Sequence, residues 1–141
     1  MRASAQPFWE KFDQLWDANS EKEKRRVAHS VLLNFRKRLP PLDASRITDL
    51  LPSEIASLSA QPRIAIEEDY GHRPVLDIDA SQFISRVSEE ANVPPETAHK
   101  ATIAVFQAIR SMLPDEEIDH VRRILPLGLK EIWGEKVKKS E

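Results

Sequence analysis

The apolar positions of this chain fall at helical spacing along most of its length. Phe8, Phe12, Leu15 and Trp16 recur at intervals of three and four, which predicts a helix over residues 8–17 with one apolar face. Asn19 or Ser20 is the expected N-cap of the next helix, with Glu23 three residues beyond Ser20 as its capping-box partner. That helix runs to about Arg38 and buries Val27, Ala28, Val31, Leu32, Phe35 and Leu39. Pro40 and Pro41 end it, because proline supplies no amide donor and restricts the residue before it. Asp43 is expected to cap a short helix bearing Ile47, Leu50 and Leu51. Pro52 should stop that helix, and Ser53 should cap a last turn or two with Ile55 and Leu58. Further on, Ser81 caps a helix with Phe83, Ile84 and Val87, and Pro94-Pro95 opens a long one carrying Ala101, Val105, Ala108, Ile109 and Met112. Asp115 caps the helix of Ile118, Val121, Ile124 and Leu125. A final helix holds Leu129, Ile132 and Trp133, and the tail with Lys136, Lys138 and Lys139 is expected to fray.

The pattern also says one thing twice. Arg36, Leu39, Pro40, Leu50, Leu51 and Pro52 recur as Arg110, Leu113, Pro114, Ile124, Leu125 and Pro126, at a constant offset of 74 (110 − 36, 126 − 52). Val31 with Val105, Ile47 with Val121, Ile55 with Leu129 and Leu58 with Ile132 keep the same register. The predicted architecture is therefore all-α: a duplicated module of three to four helices per copy, packed as one bundle. The first repeat covers residues 1–60 and the second 80–135, with a linker at 61–79 and a basic tail at 136–141. Each copy alone, at about 60 residues, would bury little surface, so the two are expected to share a core. In the linker Ile64 and Ile66 alternate with polar residues, and 74–78 look extended, so a short extended strap or β-hairpin is expected there.

Composition narrows the chemistry more than the fold. With 40% apolar and 31% charged residues in 141, the balance is that of a globular domain. No apolar run approaches the roughly 18 residues of a membrane span, and residues 1–7 lack the apolar stretch of a secretory signal. The absence of cysteine removes disulfides, zinc-thiolate sites and thiol nucleophiles, and fits a cytoplasmic setting. Three glycines leave no room for a phosphate loop, a dinucleotide fingerprint or a nucleophile elbow. His29, His72, His99 and His120 stand far apart in no metal-ligand spacing, and the acids at 115–119 sit where a helix start favours them. No catalytic residue, metal or cofactor is expected.

The second copy resembles a bacterial family of uncharacterised proteins, domain of unknown function 2267. The resemblance is carried by Phe83-Ile84-Ser85-Arg86-Val87, the helix from Ala101 to Leu113-Pro114, Val121-Arg122-Arg123-Ile124-Leu125-Pro126, and Leu129 through Trp133. The first copy resembles it through residues 31–40 and Asp49-Leu50-Leu51-Pro52. The resemblance implies a helical, duplicated, soluble protein without an established activity.

What remains are surfaces. Lys22, Arg25, Arg26, His29, Arg36 and Lys37 fall within about a third of a turn on the second helix, opposite its apolar stripe. Trp9 lies off the stripe of its own helix, and Tyr70 and His72 mark the linker. Together Trp9, Arg25, Arg26, His29, Arg36, Tyr70 and His72 are the candidate contact residues of a non-catalytic cytoplasmic interaction module. It would act as adaptor, scaffold or regulatory subunit and bind a protein partner or itself. The alternative is a regulatory factor that binds nucleic-acid phosphates through the same basic ridge, although the net charge of −2 gives a weak counterion-release drive. A small ligand held between the two repeats ranks below both.

Overall fold

In the computed structural model, which describes residues 5–59 and 78–134, the chain forms eight α-helices and, among those residues, no strand. They are α1 (Gln6–Leu15), α2 (Glu21–Arg38), α3 (Pro41–Leu50), α4 (Ser53–Leu58), α5 (Ala80–Ala91), α6 (Pro95–Arg110), α7 (Asp115–Ile124) and α8 (Leu127–Trp133). None of them is long and apolar enough to cross a membrane. The extended or hairpin-like linker expected over 61–79 lies, apart from Ile78 and Asp79, outside the described residues.

The Leu-Pro pairs turn out to be starts as much as stops. Leu39, Leu51 and Leu125 leave the helix with φ of −90°, −92° and −84° and extended ψ, as the residue before a proline must. Each is buried, so the break in the helix also places an apolar plug in the core. The proline that follows, with φ near its ring-fixed value, is the N-cap of the next helix. The carbonyls of Pro40, Pro52, Pro114 and Pro126 accept from the amides of Ala44, Ala56, Ile118 and Lys130 at 2.9, 2.9, 3.1 and 2.8 Å. Pro52 and Pro126 thus stand at helix boundaries as expected. Asp43, Ser53 and Asp115, expected as caps, lie instead inside the first turn, because the preceding proline has already set the entry.

Two other ends are corrected in the same way. The cap of α5 is Asp79 and not Ser81: Asp79 Oδ1 accepts from the Gln82 amide at 2.8 Å and Gln82 Oε1 from the Asp79 amide at 2.9 Å, a full capping box. At α2 the cap is Ser20, whose Oγ accepts from the Glu23 amide at 3.0 Å. Glu23 reaches one residue further back than a capping box does, to the Asn19 amide at 2.7 Å. The first helix ends at Leu15, two residues before its expected limit, and Trp16 turns extended with its ring 5.6 Å from Phe12.

The helices pack as one bundle around a single core that runs from Phe8 to Trp133. The long helices α2 and α6 cross at its centre. Helix α1 lies along α6, whereas α5 lies along α2 and also against α6. The centre is aromatic: the Phe35 ring is stacked on Trp133 at 5.5 Å and tilted against Phe106 at 5.3 Å, and Phe83 meets Phe106 edge-on at 5.8 Å. These four rings come from α2, α5, α6 and α8, so neither end of the chain closes its core without the other. A polar tie reinforces the α2–α5 contact. Ser30 Oγ and Asn34 Nδ2 donate to Glu90 Oε1 at 2.7 and 2.8 Å, and Arg86 Nε donates to Asn34 Oδ1 at 2.9 Å. Asn34 is fully buried, and these bonds satisfy it.

Candidate functional site

The polar face of α2 is spent largely on holding other helices. Arg26 Nε donates to the Ala91 carbonyl at the C-terminal end of α5 at 2.8 Å, where a cation also meets the negative end of the helix dipole. Arg38 Nε donates to the Ile78 carbonyl just before α5 at 3.3 Å, so one helix clamps the other at both ends. His29 Nδ1 stands 2.7 Å from the Leu58 carbonyl at the end of α4. A carbonyl only accepts, so Nδ1 carries the proton in this contact. Arg36 lines a cavity of about 10 Å³, beside Phe35, Leu39 and Ser59. Tyr70 and His72 lie outside the described residues.

Trp9 and Arg25 come together. The indole packs edge-on to Phe8 at 5.2 Å and against Phe12 at 5.7 Å, and its Nε1 donates to Glu54 Oε2 of α4 at 3.3 Å. Lys24 Nζ and the Arg25 guanidinium each lie 5.1 Å from its ring centroid, within cation–π range. Arg25 is in turn paired with Glu54 at 2.7 Å and with Glu21 at 3.1 Å. Hydrogen bonding from Glu54 raises the Arg25 pKa. Hydrogen bonds from Lys24 and then Arg25 hold the exposed Glu21 carboxyl below its ordinary value. Trp9 therefore fills the junction of α1, α2 and α4.

The matching junction at the other end of the chain is built differently, with α8 packed on the start of α5 through Gly128 and Ala80. Helices α2, α3 and α4 begin 74 residues before α6, α7 and α8 (95 − 21, 115 − 41, 127 − 53). In the first helix of each set the buried faces match at 75, Phe8 with Phe83 and Phe12 with Val87. At these offsets Trp9 corresponds to Ile84, Lys24 to Ala98, Arg25 to His99, Glu54 to Gly128 and Leu58 to Ile132. Four of these five exchanges replace a large polar or aromatic side chain by a smaller one. Between α5, α6 and α8 lies a shallow groove of about 410 Å³, widely open to solvent. Its apolar lining is Ala80, Ile84, Pro95 and Ile132, and its polar lining is Ser81, Ser85, Glu96 and His99. Hydrophobic and charge patterning point to the basic ridge of α2, which the second half does not repeat, and leave this site unmarked. The signal was the loss of Trp9, Arg25 and Glu54 at their matching positions.

A second set of matched residues meets face to face. His120 Nε2 lies 2.9 Å from Asp43 Oδ1, and Arg46 Nε lies 3.2 Å from Glu117 Oε1. Asp43 and Arg46 correspond to Glu117 and His120 at the same offset of 74 (117 − 43, 120 − 46), so the two contacts are reciprocal, as across a twofold axis. Among the described residues no three His, Cys, Asp or Glu side chains converge as metal ligands. Arg110, which corresponds to Arg36, is half buried and donates through a terminal nitrogen to the Trp133 carbonyl at 3.2 Å. Burial lowers its pKa, and the nearby Asp119 carboxylate works against that shift.

A search of curated proteins finds no match to the chain. The family model described as uncharacterized conserved protein (DUF2267) matches residues 5–132 in one continuous span that takes in both junctions. With nearly the whole chain inside that match, this protein belongs to the DUF2267 family.

Proposed function

We propose that the protein is a non-catalytic, cytoplasmic helical interaction module, built of two tandem copies of a four-helix unit, and that it receives a protein partner in the α5–α6–α8 groove. The observation that carries this reading is the shallow groove of about 410 Å³ beside Ile84, on a face where the first half instead carries Trp9. A shallow surface of part apolar and part polar lining suits a protein face better than an enclosed small molecule. The two-copy reading is supported by the recurrence of helix starts at 74 and by the reciprocal pairs of Asp43 with His120 and Arg46 with Glu117. Nucleic-acid binding through the α2 ridge draws less support, since Arg25 and Arg26 already meet acceptors within the fold. A ligand between the copies draws less too, because Phe35, Phe106 and Trp133 fill their contact.

The test is capture from a nuclease-treated lysate of the native host with wild type and with Ser85→Arg, a charged side chain placed in the mouth of the groove. A protein retained by the first and lost by the second supports the reading. Equal retention by both sinks the groove as the contact surface. Retention of nucleic acid alone, falling steeply as salt rises, would favour the phosphate-binding alternative.

A further inference from the structure

We infer that α3 and α4 form a hinged lid on α2, held shut by a thin apolar contact and by polar latches at its edges, which opens while the rest of the bundle stays folded. The comparison that carries this is with α7 and α8, the matched pair. At the offset of 74, Ala44, Ile47, Leu51, Ile55 and Ser59 stand where α7 and α8 bury Ile118, Val121, Leu125, Leu129 and Trp133. Ile47, Leu51 and Ile55 are close in volume to their counterparts. Ala44 and Ser59 are not: one lacks most of an isoleucine and the other a whole indole. Trp133 keys α8 into the centre against Phe35 and Phe106, and Arg110 holds its carbonyl at 3.2 Å. Beside Ser59, the seam between α2 and the α3–α4 pair keeps a cavity of about 10 Å³ instead. Helix α8 is wedged among α5, α6 and α7, whereas α3 and α4 pack chiefly on α2.

What the α3–α4 pair lacks in apolar keys it replaces by latches. Glu54 of α4 accepts from the Trp9 indole N–H at 3.3 Å and pairs with Arg25 at 2.7 Å, and the Leu58 carbonyl lies 2.7 Å from His29 Nδ1. On the far edge, Asp43 and Arg46 of α3 meet His120 and Glu117 of α7 at 2.9 and 3.2 Å. The charged groups of these latches keep part of their exposure to solvent, so each tie is weak by itself. The chain enters the pair through Leu39 and Pro40, where α2 breaks into extended backbone, and that break is the pivot. Opening uncovers Leu32, Phe35 and Leu39 on α2, all buried in the closed form. The latches thereby govern access to an apolar strip that the protein covers with its own chain.

Amide hydrogen exchange of the full chain, followed by NMR at several sub-denaturing urea concentrations, tests the lid. The urea dependence separates openings that expose surface from local fraying. The amides to compare are Ala44, Leu51 and Ala56 in the lid with Ile118, Leu125 and Lys130 at the matched positions, each bonded to a backbone carbonyl. The lid amides should exchange as one urea-dependent set, with protection at least about tenfold below that of the α7–α8 set. Glu54→Gln and His29→Ala, both at exposed positions, should each lower lid protection a further two- to fivefold or about that, and leave the α7–α8 set unchanged. Equal protection of the two sets in wild type would overturn the inference, as would lid amides that exchange independently of one another. Variants that leave lid protection unchanged, or that lower both sets alike, would overturn the part assigned to the latches.

Discussion

Each half of this chain carries a tryptophan that the other lacks, and the two are put to opposite uses. Trp9 fills an outer junction in the first half, where Ile84 leaves the second half with a groove of about 410 Å³. Trp133 fills the centre in the second half and donates its indole N–H to the Ile118 carbonyl at 3.1 Å. Its counterpart at an offset of 74 is Ser59, and beside Ser59 the first half has a cavity of about 10 Å³. The same helical frame thus tolerates a missing ring in two ways. In the centre, Leu32, Phe35 and Ile47 close in until space for about one water is left. At the rim α8 packs on the start of α5 through Gly128 and Ala80, and what is left beside Ile84 is a shallow depression open to solvent. Buried vacancies collapse because lost packing is costly, and exposed ones persist because solvent fills them.

The contrast can be broken most forcefully at its centre. Trp133→Ala should cost about 3–5 kcal/mol, since it empties a fully buried ring stacked on Phe35 and edge-on to Phe106. Trp9→Ala should cost less than half of that, because the ring is only partly buried. Urea unfolding of both variants measures this, and equal losses would show that the two tryptophans play the same part. The same curves should show one transition, since the halves share their core; two would refute the shared core.

Next in size is the α2–α5 tie. Asn34→Ala leaves Arg86 and Glu90 short of a buried partner and should cost about 1–3 kcal/mol. The position that matches Asn34 is Ala108, on the long helix of the other half, and α1 packs along that helix with no such network. Ala108→Ser should therefore bring no compensating gain. Gly128→Ala is of similar magnitude, about 1–3 kcal/mol, through overpacking against Ala80. A neutral result would show that α8 can move away from α5.

Smaller still is the reciprocal ion-pair set. Its members retain side-chain exposures from 19 to 47%, so a double-mutant cycle of Asp43→Asn with His120→Gln should report about 0.2–1 kcal/mol of coupling. The smallest effect is a pH dependence at the Trp9 junction. The Glu21 carboxyl is lowered by Lys24 and Arg25, so what it contributes is complete above its ordinary value of 4.5 and is lost as pH falls through the lowered one. The Glu21 side-chain carboxyl ¹³C titration should show the lowered midpoint in wild type and move toward the ordinary value in Arg25→Gln.

Much of the fold was readable in one dimension. Helix identity and order followed from apolar spacing, as with Val27, Val31 and Phe35 along α2, and the Leu-Pro pairs marked the breaks between helices. These are local effects: an apolar stripe and a restricted φ act within a few residues of their cause. The caps at Asp43, Ser53, Ser81 and Asp115 were misplaced by one to three residues, because a proline or an earlier aspartate had already taken the role.

The site was not legible in the same way. Arg25, Arg26 and His29 read as an exposed ridge and are exposed in the structure, but helical spacing is silent about which neighbours they bind. Only the tertiary structure brought α5 and α4 against that face and turned the ridge into ties to Ala91, Leu58 and Glu54. The groove at Ile84 and His99 is likewise a property of three helices from separate stretches of chain. Apolar spacing and the Leu-Pro breaks alone determined the helices that frame both junctions. Which junction is filled and which keeps a shallow groove depends on side-chain volume summed across helices, a quantity that exists only once they meet.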